Sequence, residues 1–217
     1  MPTDAMTPSV AATPLTDLLV FGAGGHGRVV ADAALLQQAW GLVEASDRDP
    51  ARCQGLLLPG VPLLDLATAL ARRSGIHIAI GSNTARQKEA LLWSLERLVS
   101  VCHTKATVST FAHIGAGCFI AANAVLAPGA SLGAGCIVNH GAVVDHDVRL
   151  GAFSHVAPLA CLGGGAVLGQ RVLVGAAAVV LPGVVIGDDV VIGAGAVVNR
   201  PLIEPGIYAG VPARRLT

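Results

Sequence analysis

The chain has 217 residues, with 14 Lys plus Arg against 14 Asp plus Glu, so it lacks the basic footprint that a nucleic-acid binder needs. Hydrophobic residues make up 53% of it and aromatics only 3%, which calls for a core tiled with small aliphatic side chains. Gly, Asn, Asp and His interrupt the apolar runs before a membrane-spanning length is reached, and residues 1–16 show no secretory pattern, so a soluble, cytoplasmic protein with no membrane partner is expected.

The length allows one large domain or two small ones. Residues 1–16 mix Pro, Thr, Ala and Ser and read as a disordered tail. From Leu18 to Phe21 an apolar run enters GAGGHG (Gly22 to Gly27), and Arg28 to Trp40 then reads as a helix. Strand, Gly-rich turn and helix in that order form a phosphate-binding device, in which exposed N–H groups at the helix N-terminus meet an anion. Gly24 and Gly25 are the expected backbone donors, and His26 adds an imidazole donor. The competing reading is that the glycines only permit close packing of strand on helix. Leu42 to Ala45 reads as a second strand, and Asp47, about twenty residues past Gly27, stands where a dinucleotide fold holds its ribose.

Asp47 and Arg48 are therefore candidates for the nucleoside, although they do not select among uridine, guanosine and thymidine. A helical segment near Leu64 to Arg73 precedes the strand Ile76 to Ile80, which runs into GSNTAR, so that Gly81 and Asn83 face the same crevice. This region ends near Ser100 after about three βα units, too little for both halves of a dinucleotide. It is expected to be a Rossmann-like nucleotide-sugar-binding domain over 17–100 rather than a hydride-transfer site.

Past Val101 the period becomes six. Ile114, Ile120, Leu126, Leu132, Val138, Val144, Leu150, Val156, Leu162, Leu168, Val174, Val180, Ile186, Ile192 and Val198 are all aliphatic, and the residue four places after each is mostly small. Neither a helix nor a plain strand has that period. The pattern is similar to hexapeptide-repeat proteins, which implies a left-handed parallel β-helix over 101–200, with three hexads per coil. Residues eighteen apart then stack, so Cys118 and Cys136 are packing neighbours. The five cysteines are odd in number and form no CxxC pair, against both a disulfide framework and a zinc ribbon. After Val198 the repeat decays, and Pro201, Pro205 and Pro212 mark a C-terminal cap over 201–217.

The whole chain resembles the bacterial sugar acetyltransferases of the sialic acid O-acetyltransferase, bacillosamine-type and perosamine-type N-acetyltransferase family. The resemblance rests on GAGGHG, IAIGSN from Ile78, VVDHDVRLGAFSHV from Val143 and YAGVPARRL at the C-terminus. It implies that His146 is the general base and that Asp147, where the family more often has Glu, raises its basicity. It further implies that His155 contacts acetyl-CoA, that backbone near Gly164, Ala176 and Ala194 lines the thioester and pantetheine groove, and that Asn139 faces the sugar. Acetyl-CoA is then a co-substrate with no permanently bound cofactor, and the assembly is a homotrimer with grooves between prisms.

The expected reaction is acetyl transfer to the amino group of a nucleotide-linked 4-amino sugar for bacterial surface glycans, with O-acetylation of a sialic acid-type sugar as the alternative. Two further readings keep the same prism. One is a non-catalytic sugar-nucleotide-binding trimer. The other is a zinc carbonic anhydrase, which His140, His146 and His155 do not match in spacing, so no metal is expected. His77, His103 and His113 read as structural or solvated.

Overall fold

The computed structural model describes residues 16–216, so all of the expected N-terminal tail except Thr16 lies outside the described residues. Leu18–Phe21 forms a strand (β1) buried at all four positions, which an apolar run with no alternation requires of a strand covered on both faces. It pairs in parallel with Val43–Ser46 (β2) on one side and Gly75–Ile78 (β5) on the other. Between β2 and β5 lie a short hairpin, Leu56–Leu58 (β3) with Val61–Pro62 (β4), and the helix Leu66–Ala71 (α2). The hairpin was not expected from the sequence, because two- and three-residue strands carry too little alternation to register.

Helix α1 spans Gly25–Gln37, three residues earlier at its start than the sequence suggests, because glycine at the N-terminus hides the first turn from any propensity argument. It stops where Gln38 turns left-handed at φ 53°. Helix α3, Asn83–Ala90, is capped by Ser82, whose hydroxyl accepts the Ala85 N–H at 3.5 Å.

From Val101 onward the chain forms the left-handed parallel β-helix that the six-residue period demands, a solenoid of about six coils. Three parallel sheets make its faces, and each strand pairs with the one eighteen residues on, as in Val125 with Val143 and Val143 with Cys161. All the aliphatic positions from Ile120 to Val198 are buried in one continuous core with the small residues four places after them. The corners explain the rest of the repeat. Every sixth residue from Gly117 to Gly195 has a left-handed backbone, including Asp147, Phe153, Leu159, Arg171 and Ala177, where a side chain must bear the strain. At Gly135 (φ 65°) a side chain would bear the same strain and also meet a neighbour, since a Cβ would come within 2.5 Å of the Phe153 ring.

Cys118 and Cys136 are buried free thiols, and each donates to a glycine carbonyl at 3.2 Å, of Gly133 and Gly151 respectively. Ser154 repeats the arrangement one coil on, with its hydroxyl donating to Gly169 O at 3.0 Å. At the C-terminus Gly206–Ala209 extends one face as a further parallel strand, and Arg214–Arg215 folds back antiparallel on it. Tyr208 and Ala213 seal the end of the core.

The N-terminal unit sits on the first coils of one face. Phe119 and Ile137, outward-facing on that face, are buried in a common core with β1, β2 and α1. Arg86, 1% exposed, locks the joint. Its guanidinium donates to Gly135 O (2.7 Å) and Phe153 O (2.8 Å) of the solenoid, and to Ile80 O (2.8 Å) and Asn83 Oδ1 (2.9 Å) of its own unit. Asn83 also bonds the solenoid, donating to Arg171 O at 3.0 Å, so it serves docking more than the crevice expected of it. Among the described residues no helix is long and apolar enough to cross a membrane.

Candidate active site

His146 stands at a corner of the prism with its side chain 62% exposed. Its backbone N–H donates to Asp145 Oδ1 at 2.7 Å, which fixes the corner. Its ring Nδ1 lies 3.0 Å from Asp147 Oδ2. The one-methylene-shorter acid therefore does reach the imidazole, helped by a left-handed backbone at Asp147 (φ 59°). Because a carboxylate only accepts, the proton rides on Nδ1 and Nε2 keeps its lone pair. The bond from Asp147, then the charge of Asp145, raises the His146 pKa above its ordinary value. Gly164, one coil above, lies directly under the ring, and a Cβ there would collide with His146 Nε2.

Ala176 and Ala194 do not share that corner. They stack with His140 along the neighbouring edge, as the coil-to-coil bonds Leu159 N–H to His140 O, Ala177 N–H to Pro158 O and Gly195 N–H to Ala176 O show. One strand face separates the two edges, so within a single chain these residues form two separate walls.

The Gly-rich turn lies on the other side of that second edge. A cleft there is lined by Gly22, Gly24, Gly25, His26, Asp47, Arg52 and Gly81, among others. The four glycines divide between the two readings of the motif. Gly22 and Gly27 are needed for packing, since a Cβ on Gly22 would lie 2.6 Å from Ala79 O and one on Gly27 would collide with Gly22 O. Gly25 has nothing within 4 Å of its open side, and the first turn of α1 holds no acidic residue. That leaves room and positive potential for an anion at Gly24 and Gly25.

Asp47 is in this cleft, accepting the Ala23 N–H at 2.8 Å and so holding the turn open. Arg48 is not, and that expectation is corrected: its guanidinium forks onto Glu89 at 2.9 and 3.0 Å beneath α3 and lies over the Phe21 ring, because the buried Glu89 carboxylate needs a cation. His26 is corrected in part. The residue lines the cleft, but its Nε2 is sealed from solvent without a partner, and the ring packs edge-on against Phe119 at 5.4 Å. Burial, then neighbouring His77, pushes its pKa down to about 3, so it is a neutral group whose ring must turn before Nε2 meets a phosphate.

His155 lies on the face that the N-terminal unit covers, and the structure does not bring it to His146. Its Nε2 is 3.1 Å from Asn139 Nδ2, while Asn139 Oδ1 accepts the His140 N–H at 2.9 Å. The amide can then only donate to the ring, so the His155 proton is on Nδ1, and burial, then Arg86, pushes the pKa of the ring down to about 4. Asn139 and His155 thus form one connected wall between cleft and solenoid. His77 is structural as expected, its Nδ1 donating to Val99 O at 3.0 Å.

Sequence reasoning missed Arg52 and Arg86. Arg52 sits five residues past the acid, in a one-turn helix too short to carry a period, and Arg86 shares with Lys88 a helix that reads as surface. Among the described residues no group of three or more His, Cys, Asp or Glu is arranged to hold a metal ion.

Two family models match the chain: the PglD N-terminal domain over residues 17–90, and the bacterial transferase hexapeptide (six repeats) over 111–146 and 165–200. No curated protein matches it in sequence. Among solved structures, the acetyltransferase domain of PglB from Neisseria gonorrhoeae in complex with acetyl coenzyme A is 35% identical, with a TM-score of 0.85, covering 94% of this chain and 100% of that one. PerB from Caulobacter crescentus in complex with CoA and GDP-perosamine is 35% identical with a TM-score of 0.84, covering 95% and 100%. A histidine-to-alanine mutant of that GDP-perosamine N-acetyltransferase is similar at 34% identity, a TM-score of 0.85 and the same coverage.

Proposed function

We propose that this chain, which belongs to the bacterial sugar N-acetyltransferases that join a PglD-type N-terminal domain to a hexapeptide-repeat solenoid, transfers the acetyl group of acetyl-CoA to the amino group of a nucleotide-linked amino sugar. The observation that carries this is the His146–Asp147 pair, a 3.0 Å contact that leaves Nε2 free and raised in basicity on an open edge. The relatives' bound amino sugar favours an amine over a hydroxyl as acceptor.

The chemistry asks little else of the protein. The neutral sugar amine attacks the thioester carbonyl carbon, so that a C–N bond forms as the C–S bond breaks. His146 Nε2 takes the proton released by the amine nitrogen and returns it to the departing sulfur, giving amide and CoA thiol. Asp147 stabilises the imidazolium that exists between the two transfers, while Gly164 gives the ring its floor. Gly24, Gly25 and Asp47 would serve the nucleotide, Gly81, Asn139 and His155 the space between it and the reacting amine, and Ala176 and Ala194 the pantetheine.

A homotrimer completes this site. The open His146 edge has one wall within its own chain, while the nucleotide cleft and the Ala176 edge lie across a strand face, which is the arrangement a neighbouring prism would close. The division into a unit over 17–100, a solenoid over 101–200 and a cap over 201–217 belongs to the same reading, as does a cytoplasmic setting, which suits acetyl-CoA and five free thiols.

The test is CoA release against a panel of UDP-, GDP- and dTDP-linked amino sugars and sialic acids, run with wild type and His146→Ala. Turnover of one amino sugar, lowered roughly 10²–10⁴-fold in the variant with little change in substrate binding, is the expected outcome. Full turnover by His146→Ala would refute the assignment of the base.

A further inference from the structure

We propose that Arg52 is the phosphate-pairing side chain of the nucleotide cleft, clamping the substrate's diphosphate against the N-terminus of α1; this rests on the nucleotide-sugar reading above. A diphosphate brings negative charge that the cleft must neutralise, and the cation that follows the Gly-rich turn, Arg28, does not line the cleft. Among the residues lining the cleft Arg52 carries the single cationic side chain. Asp47 is acidic, and its carboxylate already takes the N–H groups of Ala23 and Asp49. Backbone donors alone would leave the anion facing Asp47 without a counter-charge.

Local structure places Arg52 for that role. After β2 the chain winds into a single helical turn, Pro50–Arg52, capped by Asp49, whose carboxylate accepts the Ala51 N–H at 3.0 Å. Arg52 N–H closes the turn on Asp49 O at 3.0 Å, and Cys53 N–H follows onto Pro50 O at 3.1 Å. The Cys53 sulfur accepts the Asp47 N–H at 3.4 Å, which ties the turn to the end of β2. On this fixed base the guanidinium is steered by Asp49 (3.6 Å) and Asp47 (4.0 Å), neither in a close fork, and its Nη1 stands 3.7 Å from where a Cβ on Gly24 would lie. A side chain 57% exposed, loosely held by two acids and poised over an open glycine, keeps donors free for a bidentate oxyanion contact. Arg48, the cation expected beside Asp47, is consumed by Glu89, and Arg28 of α1 is not among the residues lining the cleft.

A purely structural Arg52, bracing the acids of the turn, predicts a different result from a phosphate clamp. The probes are UDP, GDP and dTDP with their nucleosides uridine, guanosine and thymidine, titrated into wild type, Arg52→Gln and Arg52→Lys by calorimetry. The clamp predicts that Arg52→Gln weakens the preferred diphosphate by about 10- to 100-fold and leaves its nucleoside within about twofold, with partial recovery in Arg52→Lys. In turnover the same variant should raise KM for the nucleotide sugar but not for acetyl-CoA. Undiminished diphosphate binding by Arg52→Gln, or an equal loss of diphosphate and nucleoside, overturns the assignment while leaving the nucleotide-sugar reading intact. Wild type that binds none of the diphosphates overturns both.

Discussion

Acidification should loosen the joint between the N-terminal unit and the solenoid. Three histidines there are held neutral: His77, 1% exposed, with its pKa lowered by burial to about 4, His155 lowered by burial and by Arg86 to about 4, and His26 to about 3. Their folded values lie below the ordinary 6.5, so between about pH 6.5 and 4 the unfolded chain binds protons that the folded chain refuses. Stability is therefore complete above 6.5 and declines as pH falls through that window. At pH 5 each group has cost about 2 kcal/mol, about 6 kcal/mol for the three, a large part of a typical domain's stability.

Arg86 sharpens the effect, because a protonated imidazole beside an already buried cation has no carboxylate to turn to. Urea unfolding followed at pH 7.5 and 5.0 should show a markedly lower midpoint at pH 5.0. A His77→Gln variant, which keeps a donor for Val99 O, should show a smaller drop. An unchanged midpoint, or imidazole resonances of His26, His77 and His155 that all titrate near their ordinary value, would refute the reasoning.

Two further outcomes follow from the corner that carries His146. Asp147→Asn removes the largest cause of the raised His146 pKa, so the acid limb of kcat, where the base becomes protonated, should move to lower pH, with a loss of rate smaller than that of His146→Ala; a pH–rate profile measures both. Gly164→Ala leaves an ordinary backbone angle but puts a methyl where the imidazole lies, so kcat should fall by about 10²-fold while the thermal midpoint holds or rises slightly, as paired activity and melting measurements would show.

The solenoid was legible in the sequence because its period is a physical necessity: one aliphatic residue per hexad must fill a narrow prism, and that demand is written at fifteen successive positions from Ile114 to Val198. The strand, glycine turn and helix at Leu18 to Gln37 were legible for a similar reason, since the spacing of glycines is set by local backbone contact. The roles proposed for His146 and Asp147 rest on resemblance, and the structure adds their pairing, which local geometry at one corner allows because the two residues are adjacent in the chain.

Residues that act across the joint were illegible. Nothing near Arg48 in sequence signals that Glu89, forty-one residues on, will consume its charge, and nothing near Arg86 signals that its acceptors lie in the second and third coils. The sequence alone determined the solenoid, the strand and helix around the Gly-rich turn, and which solenoid residues face inward, because those follow from local period, whereas the hairpin β3–β4 and the turn Pro50–Arg52 are too short to carry one. Which cation remains free for a ligand and which histidine is forced neutral were decided only when the N-terminal unit closed over the prism, since charge pairing and desolvation depend on neighbours that sequence distance does not reveal.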